Sequence, residues 1–117
     1  MRIKNGELGV SSNDLTSNIT SDALWLAHIV NYSIQMTVDG TPNGTFKLQG
    51  SNDFGGKDAD NPSIANWADL GIDVAVTSAG SYVLSDSDCG YRWVRLVWTD
   101  SSTGASTVEV RFNVKGV

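Results

Sequence analysis

Two segments in the last third of the chain alternate apolar and polar residues with a period of two, and they constrain the fold more tightly than anything else in the sequence. Val108, Val110, Phe112 and Val114 alternate strictly with Glu109, Arg111, Asn113 and Lys115. Successive side chains of a strand point to opposite faces, so this segment reads as a strand with one face buried and one in water. A slip of one residue would bury the charged row, which fixes the register. The stretch Tyr91–Thr99 is built from β-branched and aromatic residues and Arg, a composition that favours strand. Val94, Leu96 and Trp98 form its unbroken apolar row and are assigned to the core. Trp93, Arg95 and Val97 then face outward.

The same period recurs upstream. Tyr32, Ile34, Met36 and Val38 alternate with Asn31, Ser33, Gln35 and Thr37, and Phe46 and Leu48 alternate with Lys47 and Gln49. Between them, Asp39–Gly44 contains the Gly and Pro of a tight turn, so the two strands are expected to pair as a hairpin. Ile72–Val76, Tyr82–Leu84 and Arg2–Leu8 add short strands, whereas Asp22–Ile29 suits a helical turn and a short strand equally. With only 18% charged residues and twelve Gly, long amphipathic helices are not expected. About seven or eight short strands joined by frequent turns predict an all-β antiparallel sandwich of jelly-roll type. Residues 1–20 read as an N-terminal arm or edge segment and residues 21–117 as a single sandwich domain.

Composition excludes several kinds of function. The net charge is −5 and the eight basic residues are scattered, so nucleic acid is not an expected partner. No apolar stretch is long enough for a secretion signal or a membrane span, and no membrane partner is expected. His28 is the only histidine and Cys89 the only cysteine. That leaves no internal disulfide, no Ser-His-Asp or Cys-His constellation, and too few ligands for a zinc-type site. The irregular stretch 51–65 carries Asn52, Asp53, Asp58, Asp60 and Asn61, oxygen donors of the kind that hold Ca²⁺. Their spacing lacks the alternation and terminal Glu of an EF-hand loop, so a solvated loop is the simpler reading. The chain is expected to be non-enzymatic, with no cofactor.

Of the four tryptophans, Trp98 and Trp67 are assigned mainly structural roles. Flat aromatic rings also suit sugars, which keeps carbohydrate among the candidate partners. Trp93 stands beside Arg95 opposite the core row, a pairing typical of protein interfaces. With Arg2 of the N-terminal segment and Phe54 and Lys57 of the 51–65 loop, these residues make up the candidate protein-interface set.

The segments Gly44-Thr-Phe-Lys-Leu-Gln-Gly-Ser-Asn-Asp53, Trp67-Ala-Asp-Leu70, Ala79-Gly-Ser-Tyr82 and Gly90-Tyr-Arg-Trp-Val-Arg-Leu-Val-Trp-Thr99 resemble, as an ensemble, a family of short tailed-bacteriophage virion structural proteins. The resemblance implies a β-sandwich virion component made in the host cytoplasm, of the capsid decoration or cement kind. Its partner would be the major capsid protein or another virion protein, and it would form a homo-oligomer. A tail, neck or fibre component, or a carbohydrate-binding module at the particle surface, is the alternative. The resemblance supplies no binding residues.

Overall fold

The computed structural model describes residues 2–10, 12–26, 29–52, 66–87 and 91–116. Among these residues nine antiparallel strands follow in order: β1 (Arg2–Glu7), β2 (Ile19–Thr20), β3 (Leu24–Trp25), β4 (Ile29–Val38), β5 (Gly44–Ser51), β6 (Ala68–Val76), β7 (Gly80–Ser87), β8 (Trp93–Asp100) and β9 (Val108–Gly116). One sheet has the order β1-β9-β4-β7, and the other β2-β8-β5-β6 with β3 also on β8. Within Asp22–Ile29, Leu24–Trp25 takes the strand alternative, and Ile29 opens β4.

β2 and β3 pair with successive parts of β8, from Ile19 opposite Trp98 to Trp25 opposite Trp93. Between Thr20 and Leu24 this edge carries one residue more than β8, a bulge. Ser21 repairs the ladder there: its N–H donates to the Leu96 carbonyl, and its hydroxyl accepts the Leu96 N–H, both at 2.8 Å. Taken as one interrupted edge strand, β2 and β3 leave eight strands in the order of a jelly roll. The expected fold class is the one observed.

The expected hairpin is not. β4 lies between β9 and β7, and β5 lies between β8 and β6, so the two strands belong to opposite sheets. Their apolar rows, Tyr32-Ile34-Met36-Val38 and Phe46-Leu48, are buried across the core from one another rather than side by side. Asp39–Asn43 is a corner between sheets. β8 and β9 are separated in the same way. β7 also runs longer than Tyr82–Leu84. Its Ser- and Asp-rich ends look like turn chemistry, but they pair with β4 from Asn31 to Val38, and that ladder satisfies their backbone groups.

The core is centred on Trp98, which is fully buried with its ring 4.6 Å from that of Phe46. Its indole Nε1–H donates to the Leu15 carbonyl at 2.9 Å, so the buried polar end of the ring is satisfied. Gly44 lies against this ring, where a Cβ would collide with the indole. Residues 1–20 contribute Leu8, Leu15 and Ile19 to the core, along with edge strands to both sheets. Phe112 points to the core as expected but is only half-buried, beside Gly6. Phe112→Ala is therefore expected to cost about 1–3 kcal/mol, below the full range for a buried ring. Urea unfolding of that variant beside wild type checks the figure.

At one end of the sandwich two corners brace each other. The Thr41 N–H donates to the Ala105 carbonyl, and the Gly104 N–H returns a bond to the Thr41 carbonyl. Asp39 Oδ1 accepts from the Thr107 N–H at 2.8 Å and from its hydroxyl at 2.7 Å. Asp100 Oδ1 accepts from the Thr103 N–H at 2.8 Å. Hydrogen bonds from the Thr107 and Thr103 side chains, reinforced by backbone N–H groups, hold the Asp39 and Asp100 carboxyls below the usual carboxylate range. A folded pKa below the unfolded one gives stability that is present above pH about 4 and lost as pH falls through the folded value. Denaturant midpoints measured from pH 7 to pH 2 should fall on the acid side, and Asp39→Asn should flatten that fall.

Candidate functional site: the outer face of the second sheet

Alternation places two very different surfaces on the outside of the sandwich. The outer face of the first sheet presents Asn31, Ser33, Gln35 and Thr37 of β4 between Ser81, Val83, Ser85 and Ser87 of β7 and Glu109, Arg111, Asn113 and Lys115 of β9. The outer face of the second sheet presents aromatic and charged groups. Trp25 of β3 is opposite Trp93 of β8, and Trp93 is opposite Ser51 of β5. Trp67 immediately precedes β6, two residues before the outward Asp69. Three tryptophans thus stand in one row across the sheet.

Trp25 is 60% exposed although Leu24 and Leu26 on either side of it pack inward. Its ring stacks on that of Trp93, with centroids 6.1 Å apart and planes 25° from parallel. One step along the sheet, the Arg95 guanidinium lies 4.3 Å from the centroid of the Trp67 ring, a cation–π contact. Arg95 Nε donates to Gln49 Oε1 at 2.9 Å, and Gln49 Nε2 donates to Asp69 Oδ1 at 2.8 Å. Lys47 completes the line, with Nζ 3.3 Å from Asp69.

This chain of bonds fixes the side chains. The Gln49 amide is oriented because its oxygen faces the arginine and its nitrogen faces the carboxylate. Burial lowers the Arg95 guanidinium from its ordinary pKa. Hydrogen bonds from Gln49 and then Lys47 hold the Asp69 carboxyl below its usual range. The described charges on this face are Lys47 and Arg95 against Asp69 and Asp73, which balance.

Trp93 and Arg95 therefore sit together on the outer face where the alternation put them. Arg2 does not join them: it opens β1, opposite Gly116, in the other sheet. Phe54 and Lys57 lie outside the described residues, as do His28, Cys89, Asp53, Asp58, Asp60 and Asn61. Asn52 Oδ1 accepts the Arg92 N–H at 2.9 Å and so continues the β5–β8 pairing one step beyond Ser51 and Trp93. Trp67, assigned to structure from sequence, packs against Arg95 on the outer face. Trp25, Gln49 and Asp69 stand outside the interface set expected from sequence, although Trp25 is one of the tryptophans whose rings suit sugars. The signal for Trp25 was its place between two leucines, which at period two turns it outward. Gln49 belonged to a polar row already identified, but its partner Asp69 sits beyond a register shift between Lys47 and Gln49.

Further along the same sandwich, the Tyr91 hydroxyl donates to Asp86 Oδ2 at 2.6 Å, which leaves the Tyr32 hydroxyl to donate to Tyr91 at 2.5 Å. Burial, followed by these bonds to Asp86 and Tyr32, pushes the Tyr91 phenol well above its ordinary pKa. It remains a neutral structural tie between β4 and the approach to β8. Among the described residues no group of three or more His, Cys, Asp or Glu is placed to hold a metal ion.

Fold and face together define a small antiparallel sandwich with jelly-roll strand order and one aromatic outer surface. No protein-family model matches the chain, and no curated protein sequence does. Solved structures do match. The SPBc2 prophage-derived protein YomS is similar at TM-score 0.58 and 11% identity, over 97% of this chain and 95% of that one. A structure described as Bacillus endospore appendages, a family of disulfide-linked pili, matches at TM-score 0.51 and 9% identity, over 98% of this chain and 88% of that one. The enzymatically active domain of tailspike protein 4 of bacteriophage CBA120 matches at TM-score 0.52 and 12% identity, over 97% of this chain but 19% of that one. At these identities the likeness is one of fold.

Proposed function

We propose that this chain is a non-enzymatic structural protein of a phage virion, a decoration protein that sits on the head in many copies. Its partner on the particle is the major capsid protein or a neighbouring virion protein. The observation that carries this reading is the two-sidedness of the sandwich. A polar and charged face lies on one side and a tryptophan–arginine face on the other, the chemistry expected of a module mounted in one orientation, with one side toward a lattice and one toward solvent. The resemblance to tailed-phage virion proteins in the strand segments supports the same reading.

Copy number tests it. Gel densitometry of purified particles, calibrated on the major capsid protein, should give copies on the scale of the capsid lattice, and particles lacking the chain should lose heat stability. A handful of copies per particle overturns the decoration role and points to the tail or a fibre.

A further inference from the structure

The geometry points to a binding site for a neutral saccharide on the outer face of the second sheet, with Trp25 and Trp93 as its platform and Arg95, Gln49 and Asp69 as its polar rim. This goes beyond the virion role, since a decoration protein needs no small-ligand site. An exposed tryptophan costs solubility, and Trp25 keeps 60% of its surface in contact with water while stacked on a second tryptophan. Such a plate suits a ligand with a flat apolar C–H face.

The rim decides which ligand. A sugar ring surrounds its C–H face with hydroxyls that both donate and accept, so it needs donors and acceptors side by side in fixed positions. Arg95, Gln49, Asp69 and Lys47 provide them as one hydrogen-bonded line whose members hold each other in place. Preorganisation of this kind lowers the entropy lost on binding. Charge selects further. Two cations and two carboxylates balance among the described residues of the face, so it favours neither an anionic polymer nor a cationic peptide. A neutral polyhydroxyl chain matches plate, rim and charge together.

The test uses the whole chain and four soluble neutral polysaccharides, xylan, mixed-linkage β-glucan, mannan and dextran, in affinity gel electrophoresis, with tryptophan fluorescence titration on any that retard it. The expected result is retardation by at least one. Trp25→Ala should weaken that binding by roughly tenfold or more without moving the melting curve, because the side chain is exposed. Gln49→Ala should weaken it as well, which a merely adhesive tryptophan would not predict. Incorporation of Trp25→Ala into particles should match wild type. Absence of retardation by all four polysaccharides overturns the proposal. So does a Trp25→Ala chain that still binds them but no longer joins particles, since the face would then be a protein-docking surface. These outcomes are separate from copy number: a chain that binds polysaccharide but is scarce in particles refutes the decoration role and leaves the saccharide site standing.

Discussion

Trp98→Ala is expected to destabilise the domain by about 3–5 kcal/mol, the range for removing a fully buried large ring, which is enough to unfold a protein of ordinary stability. The ring is fully buried and meets that of Phe46 at a tilt of 49°, with centroids 4.6 Å apart. It also reaches beyond its own sheet, because Nε1–H donates to the Leu15 carbonyl in the segment between β1 and β2. Truncation opens a cavity and strands that carbonyl. Trp98→Phe keeps the larger part of the packing but loses the hydrogen bond and leaves a smaller cavity, for about 1–3 kcal/mol. Equilibrium urea unfolding, followed by far-ultraviolet circular dichroism, measures both. A Trp98→Ala chain with a wild-type midpoint would contradict the placement of this residue at the centre of the core.

Gly40→Ala should be the second large loss, at least about 2 kcal/mol, although it adds only a methyl group. Gly40 has φ of 81°, a left-handed conformation that L side chains rarely adopt. A Cβ there would also run into the carbonyl oxygen of Ala105, in the corner that joins β8 to β9. That oxygen is the acceptor for the Thr41 N–H, so relieving the clash breaks the brace between the two corners. Thr41→Ala at the neighbouring position lacks both problems and should stay near wild type. Thermal melts of the two variants give the contrast. Equal melting temperatures would mean that the corners do not support each other.

How much of this could be read without the structure differs from element to element. The row Val94-Leu96-Trp98 and the row Val108-Val110-Phe112-Val114 were legible as core because burial imposes a period of two on a strand's own residues. Val94, Trp98 and Val110 are buried as that pattern requires. Phe112 was legible in direction but not in degree, since its partial exposure depends on what stands beside it. The outward position of Trp93 and Arg95 was legible for the same reason as the core rows. Their surroundings were not. Trp25 is seventy residues or so distant in sequence from its stacking partner, and Asp69 reaches Gln49 only after a shift in the β5–β6 register.

The Asp39–Asn43 connection shows where the boundary falls. Gly40 and Pro42 mark a reversal of the chain, and a reversal is all that local residues can encode. Whether β5 then lies beside β4 or across the core from it depends on which arrangement buries Tyr32, Ile34, Met36 and Val38 together with Phe46 and Leu48, a property of all strands at once. By itself the sequence determined the long alternating strands β4, β5, β8 and β9, their buried faces, the β-sandwich class and the outward pair Trp93 and Arg95, because each follows from alternation within one segment. Only the tertiary structure decided the jelly-roll order, the mutual support of the corners and the assembly of Trp25, Trp93, Trp67, Arg95, Gln49 and Asp69 on one face. Those depend on pairings between strands distant in sequence, where hydrogen bonding is common to every partner and packing alone selects among them.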